Sequence, residues 1–402
     1  MLFKNRKSYT KTIVFLLVGM ISSSLASCAG DGASDITGTL VTNAPTTSSR
    51  PAEQTKPEEE TQAPEKEPDE KGSEGGFDYC IFDGELYVSG YTSESSEVVV
   101  PSTLAGHSVI GIYKNAFSGK EITSVTLEEG IKEIGGGALA DCTHLTNVVL
   151  PQSLEKISFR AFENCEELSK IALPDSVSEI GANAFADCKK LSDITLPSAL
   201  KEIPFGLFEK CESLENVTFP QTVEKIGAQA FAFCPFKEIN VPTSVKELGD
   251  GAFSNCSKLE KITLPDGIAE ISDMLFYECS QLASVNIPEG VEKIGDRAFF
   301  SCLKLTEMVI PDTVKKIGTG AFFNCADLKK VNIPDGVEKL NDDLFYNCRS
   351  LNTVNIPSSV THIGKDVFKE SAMTTINFAG TEEQWKACKG ISDYTNINVI
   401  YK

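Results

Sequence analysis

Ten cysteines form a ladder along this chain: Cys142, Cys165, Cys188, Cys211, Cys234, Cys256, Cys279, Cys302, Cys325 and Cys348. Every step is 23 residues except one of 22, between Cys234 and Cys256. A fixed period of this length specifies a solenoid, in which each repeat is one coil stacked on the last. Such a fold offers a long regular surface and no natural catalytic cleft. The first question is therefore what the chain binds, not what reaction it runs.

One unit, Leu168 to Cys188, shows the pattern. Leu168, Ile171 and Leu173 alternate as a short strand, and Pro174 ends it because proline cannot donate to a ladder. Val177 and Ile180 turn inward again, then Ala184-Phe185 supplies a large anchor before Cys188. The anchor column runs Phe117, Leu139, Phe162, Phe185, Phe208, Phe231, Phe253, Phe276, Phe299, Phe322, Phe345 and Phe368. It predicts about twelve coils and, at roughly 4.8 Å per strand, a solenoid on the order of 60 Å long. Solenoids need atypical ends to cover their last apolar faces. Residues 77–121 read as an N-terminal cap with the first repeat, including a strand pair turned at Asp83-Gly84. The repeats occupy 122–373 and a C-terminal cap 374–402, where the single tryptophan, Trp385, reads as core.

This unit resembles the leucine-rich repeat of bacterial BspA-like surface proteins, which runs Leu-x-x-Ile-x-Leu-Pro, Val-x-x-Ile-Gly, Ala-Phe-x-x-Cys. The likeness extends from about Phe77 to the end, and Phe378 to Trp385 is similar to the family's closing segment. It implies a β-rich, right-handed coil of 22–23-residue repeats. It also implies attachment to host matrix proteins or to other bacteria. The commoner leucine-rich repeat places Asn or Cys three residues after the strand. Here Ser176 stands at that place, so the curvature of the common class does not carry over.

The beginning of the chain speaks to location. Lys4, Arg6, Lys7 and Lys11 precede an apolar run, Ile13 to Ile21, too short to span a bilayer comfortably. Leu25-Ala26-Ser27-Cys28 resembles a bacterial lipobox, which implies a signal peptide over 1–27 and acylation of Cys28. The alternative is an ordinary signal cut near Ala26 that leaves Cys28 a free thiol. Residues 28–76 read as an acidic, Pro/Thr/Glu-rich stalk with too little apolar surface to fold. The whole chain carries a formal charge of −20. Such a balance argues against nucleic acid and against direct adhesion to anionic lipid. The membrane would then be reached through the N-terminal lipid only, and the chain is expected to be a monomer.

Thirteen cysteines in an exported chain invite a disulfide reading. Ladder thiols at equivalent positions point the same way, which strains the required dihedral, whereas free cysteine packs as a small buried hydrophobe. No CxxC pair suggests zinc, and His107, His144 and His362 sit in no catalytic motif. Neither enzyme activity nor a cofactor is expected. Stacked carboxylates at Asp266, Glu289, Asp312 and Asp335 could hold calcium, but they also sit in ordinary turn sequences.

Two surface columns are candidate binding sites. The first follows the anchor in four successive coils: Tyr277, Phe300, Phe323 and Tyr346. It is either an apolar stripe for a protein or a sugar, or packing beneath the loops of the convex side. The second is the outward mid-strand column, which becomes rich in asparagine at Asn286, Asn332 and Asn355. It is either a self-satisfying amide ladder or a polar face for a glycan or an extended peptide. The partner expected is an extracellular protein or glycan. An envelope-assembly scaffold without a host ligand is the alternative.

Overall fold

The computed structural model describes residues 66–394 and 396–402. The signal segment, Cys28 and most of the stalk lie outside the described residues. The rest is a β-solenoid of about fourteen turns. Twelve turns carry the anchor column, and two more belong to the C-terminal cap.

Each coil has three walls. The first holds the Leu-x-x-Ile strand, as in Asp193–Thr195, Asn216–Thr218, Glu238–Asn240 and Lys261–Thr263. The second holds the two-residue strand of the Val-x-x-Ile stretch, as in Lys225–Ile226 and Lys293–Ile294. Strands of successive coils pair in parallel and in step, Asp193 with Asn216 and Thr195 with Thr218. The third wall is a series of turns. It satisfies its backbone in the same direction: Phe162 N–H donates to Ala184 O at 2.8 Å, and Phe208 N–H to Ala230 O at 2.9 Å. All three walls therefore pass hydrogen bonds from coil to coil, which buried backbone groups require. The unit that best displays the repeat in sequence is irregular in space, for no strand forms at Lys170–Ala172. Alanine is a weak strand former, whereas the adjacent coils carry the β-branched Val149 and Thr195 at that position.

The anchors form one column through the core. Phe162 and the nine phenylalanines after it stack with ring centroids 5.3–6.1 Å apart. All are buried. The 22-residue step loses its residue in the turn after Cys234, where Phe236 fills the slot that leucine holds elsewhere and is 1 % exposed. The second wall keeps its register across that coil, Lys225 facing Glu247, whereas the first-wall ladder is interrupted between Asn216–Thr218 and Glu238–Asn240.

The turn wall requires two left-handed residues per coil, two before and two after the anchor. Around Phe185 these are Asn183 and Asp187, with φ of 56° and 57°. Asn, Asp and Gly fill most such positions, as their low steric cost predicts. Arg160, Gln229, Met274 and Phe233 also adopt the conformation, with φ of 54–64°.

The caps close both ends. The N-terminal cap is an antiparallel meander of β1 (Glu70–Glu74), β2 (Phe77–Phe82) and β3 (Glu85–Tyr91). Asp83-Gly84 makes the second hairpin turn as expected, with both φ positive. The stalk boundary at 76 needs correction, because β1 pairs with β2 from Glu70 onward and Gly75-Gly76 forms the first turn. This strand buries no apolar residue, so hydrophobic patterning could not reveal it; its backbone ladder holds it, with Ser73 donating to Asp78 and Glu74 accepting from the Ala105 N–H. Three further strands, β4 (Glu97–Val100), β5 (Thr103–Leu104) and β6 (His107–Ile112), lead into the repeats. At the other end the first wall continues through Thr375–Phe378 and Asn398–Tyr401. Between them lies α1 (Glu382–Ala387), with a capping box of Thr381 and Gln384. Trp385 is core, with its ring 5.2 Å from that of Phe378.

The cysteine ladder has a specific partner. Each thiol donates to the carbonyl of the anchor residue in the preceding coil: Cys188 to Phe162 O and Cys211 to Phe185 O, both 3.2 Å. The same contact recurs from Cys142 to Cys348, at 3.1–3.3 Å. All twelve described cysteines are free and buried. A thiol is thus a small hydrophobe that also satisfies a buried carbonyl.

Two predictions follow from the turn wall and the ladder. Gly320 has φ of 58° and no atom closer than 3.7 Å to where a Cβ would stand, so conformational cost alone is tested there. Gly320→Val is expected to lose roughly 1–2 kcal/mol in denaturant melts, and Gly320→Asn less than half of that. Equal losses would remove the conformational explanation. Burial pushes the ladder thiols up, to about 12 at Cys142, Cys256 and Cys348. An unfolded thiol titrates near 8.5. The native state therefore keeps protons that the unfolded state has lost, and this stability is present below pH ~8.5 and lost as pH rises toward ~12. Melting temperature should fall through that window, and a Cys188→Ser/Cys211→Ser variant should show a shallower fall. Parallel curves would show that other groups cause it.

Candidate functional site

The aromatic column lies on the turn wall, one residue beyond each buried anchor. An inward anchor obliges the next side chain to face outward, so Tyr277, Phe300, Phe323 and Tyr346 are half-buried rather than core. Their rings stack face to face, with centroids 4.8, 4.6 and 4.7 Å apart and interplanar angles of 12°, 8° and 1°. Three contacts use six of the eight ring faces. Lys369 covers a seventh, with its Nζ 5.7 Å from the Tyr346 centroid. The column is therefore a ridge of ring edges. A sugar stacking on an aromatic needs a free face, and this arrangement withholds them. A ridge of edges fits an apolar groove on a protein. The rings are neither fully exposed nor packed beneath loops.

The ends of the ridge are polar. Tyr346 donates to Glu370 Oε1 at 2.8 Å, and this bond is the main reason its hydroxyl holds its proton more tightly than usual. For Tyr277 burial is the larger cause, followed by the charge of Glu278.

The asparagine column is partly a ladder. Asn355 Nδ2 donates to Asn332 Oδ1 at 2.7 Å, and Asn377 Nδ2 donates to Asn355 Oδ1 at 2.9 Å. These amides spend part of their capacity on one another, which supports the structural reading for Asn332 and Asn355. Asn286 stands apart, because Val309, 77 % exposed, occupies the rung between it and Asn332. This column belongs to the first wall and the aromatic ridge to the third. The structure does not bring the two candidates into one site.

Sequence reasoning passed over the cysteine–carbonyl contacts and the charges of the second wall. Glu133, Lys156 and Glu179 face one another there, with Lys156 3.9 and 3.1 Å from its two partners. Lys225 likewise lies 3.5 and 3.4 Å from Glu202 and Glu247. Of the histidines, His144 pairs with Glu121 at 2.9 Å on the surface. Among the described residues no three acidic, histidine or cysteine side chains converge as a metal site needs, Asp266, Glu289, Asp312 and Asp335 included. Among the described residues, too, no helix is long and apolar enough to cross a membrane.

With this geometry established, comparison with known proteins decides the family. The pattern described as BspA type leucine rich repeat region matches in six copies, over residues 110–221, 201–329 and 292–397. The chain belongs to that family. A leucine-rich cell surface protein of Faecalibacterium prausnitzii is similar in structure, with a TM-score of 0.56 and 28 % identity over 79 % of this chain and 97 % of its own. A leucine-rich repeat protein of Bacteroides ovatus gives a TM-score of 0.55 at 25 % identity, over 82 % and 99 % of the two chains. The pneumococcal vaccine antigen PcpA, at 20 % identity and a TM-score of 0.55, shares the fold; 84 % of this chain and 100 % of that one are covered. No curated protein sequence matches the chain. BspA-type proteins are typically bacterial surface proteins, and these structural neighbours are leucine-rich repeat proteins.

Proposed function

We propose that this chain is a non-catalytic binding module, held at the outer face of a bacterial membrane by a lipid on Cys28, that engages a protein partner through the ridge of Tyr277, Phe300, Phe323 and Tyr346. The observation that carries the reading is the ridge itself. Its four rings are contiguous, half-exposed and edge-on, the arrangement an apolar groove on another protein would accept. Aromatic side chains dominate interface energetics because they bring large area at low entropic cost. Membership in a family of surface proteins supports the location. The lipobox of Leu25-Ala26-Ser27-Cys28 supports the anchor, and more than one acyl chain on that cysteine would make it stable. The family and its structural neighbours are non-enzymatic leucine-rich repeat proteins, which supports a role without catalysis.

Two measurements test this. The full chain carrying Cys28→Ser should bind at least one component of an array of matrix proteins, and a variant with all four ridge residues changed to serine should lose that binding while keeping its circular dichroism spectrum. Silence across the array would move the weight to an envelope-assembly scaffold. Retention by the serine variant would move the site elsewhere. In cells, the unaltered chain should fractionate with membranes and the Cys28→Ser chain should not. Equal partition would overturn lipid anchoring.

A further inference from the structure

The outward column of the second wall changes character along the solenoid. From the first coils it reads Glu133, Lys156, Glu179, Glu202, Lys225, Glu247, Glu270 and Lys293. Each lysine in that run has a carboxylate on an adjacent coil, ending with Lys293 and Glu270 at 2.5 Å. The next four rungs are Lys316, Lys339, His362 and Lys389. Lys293 faces Lys316, Lys339 faces His362, and His362 bridges to Lys389, while among the described residues no strand pairing joins Lys316 to Lys339. Lys316, Lys339 and Lys389 are exposed. Among the described residues no ion pair holds any of the three, whereas Lys156 and Lys225 hold two each.

Like charges directly opposite one another on a sheet are destabilising. The protein as a whole is strongly acidic, with a net charge of −20. Three exposed lysines without a partner, in a column whose other lysines each hold a carboxylate, therefore bring no structural benefit. The neighbouring columns carry charges of both signs, and Lys316, Lys339 and Lys389 are left without an ion pair among the described residues. Glu292 and Glu338 bracket Lys315 on the neighbouring column, and among the described residues none of these forms an ion pair with the ladder. Asp296 and Asp342 are engaged in accepting from the backbone N–H of Thr319 and Lys365, at 2.7 and 3.0 Å.

We propose that this ladder, Lys293 to Lys389, is a binding track for a linear sulfated polysaccharide. Lys316, Lys339 and Lys389 are the unpaired cations of the column, and at roughly 4.8 Å per rung they span a line on the order of 15 Å. That shape suits an extended chain with regularly spaced anionic groups better than a compact anion. Lysine ammonium groups act as point charges and make no demand for bidentate geometry, so charge spacing selects the ligand. Single-stranded nucleic acid is disfavoured, because its recognition combines cations with aromatic platforms for the bases and no ring flanks the ladder. The track lies on a different wall from the aromatic ridge, and the inference is independent of the protein-binding reading.

The test is retention of the full Cys28→Ser chain on immobilised heparin, with desulfated heparin and oligo-dT as parallel surfaces. Binding is expected at low salt and should fall linearly on a log–log plot against salt. Lys316→Ser/Lys339→Ser should weaken it by roughly ten- to thirtyfold. Lys156→Ser/Lys225→Ser removes two lysines from the self-neutralised part of the same column and should leave affinity unchanged, as should the ridge variant. Thermal melts of each variant separate lost binding from lost folding. No retention at low salt would overturn the proposal. Equal weakening by the two double variants, equal binding of desulfated heparin, or equal binding of oligo-dT would each do the same.

Discussion

Every wall of this protein hands its backbone hydrogen bonds to the next coil, and that handover sets one rise for everything attached to it. Parallel strands space their partners at about 4.8 Å. Any residue type that recurs at the period must then tolerate its own copy at that distance. Phenylalanine does so by stacking rings through the core. Cysteine does so because its thiol turns to a carbonyl of the preceding coil rather than to the next thiol. Asparagine does so by passing an amide bond along. Lysine cannot, and elsewhere on the second wall glutamate separates its copies.

Much of this was legible from residue spacing. The Cys ladder and Phe column define the coil, and proline, the Asp83-Gly84 turn and the Trp385 segment mark its strand ends and caps. Other parts were not legible, for identifiable reasons. Strand β1 is held by polar contacts, and a chain of Glu, Lys, Gly and Ser gives no hydrophobic alternation to read. The left-handed pairs are obscured because Arg160, Met274 and Phe233 adopt a conformation that their side chains do not advertise. Reading the Val-x-x-Ile stretch for its inward residues passes over the outward ones, which carry the charge ladder.

The candidate surfaces show the same division. The four aromatics are visible in sequence as a column, yet only ring geometry shows that their faces are occupied and their edges presented. Asn286 looks equivalent to Asn332 and Asn355 by type and position, but Val309 interrupts the rung between them. A repeat sequence announces which positions stack. It does not announce which stacked neighbours complete one another.

The short coil at Cys234 to Cys256 carries a consequence for how such a molecule can vary. One residue is missing from the turn, Phe236 takes the place of the usual leucine, and the second-wall strands on both sides stay in step, although the first-wall ladder breaks there. Coil length and wall alignment are thus separable. Whole coils could be duplicated or excised at that turn while the second-wall columns stay in line. The solenoid then behaves as a measuring rod, in which the number of coils sets the length of each surface stripe and hence the size of the ligand it can span.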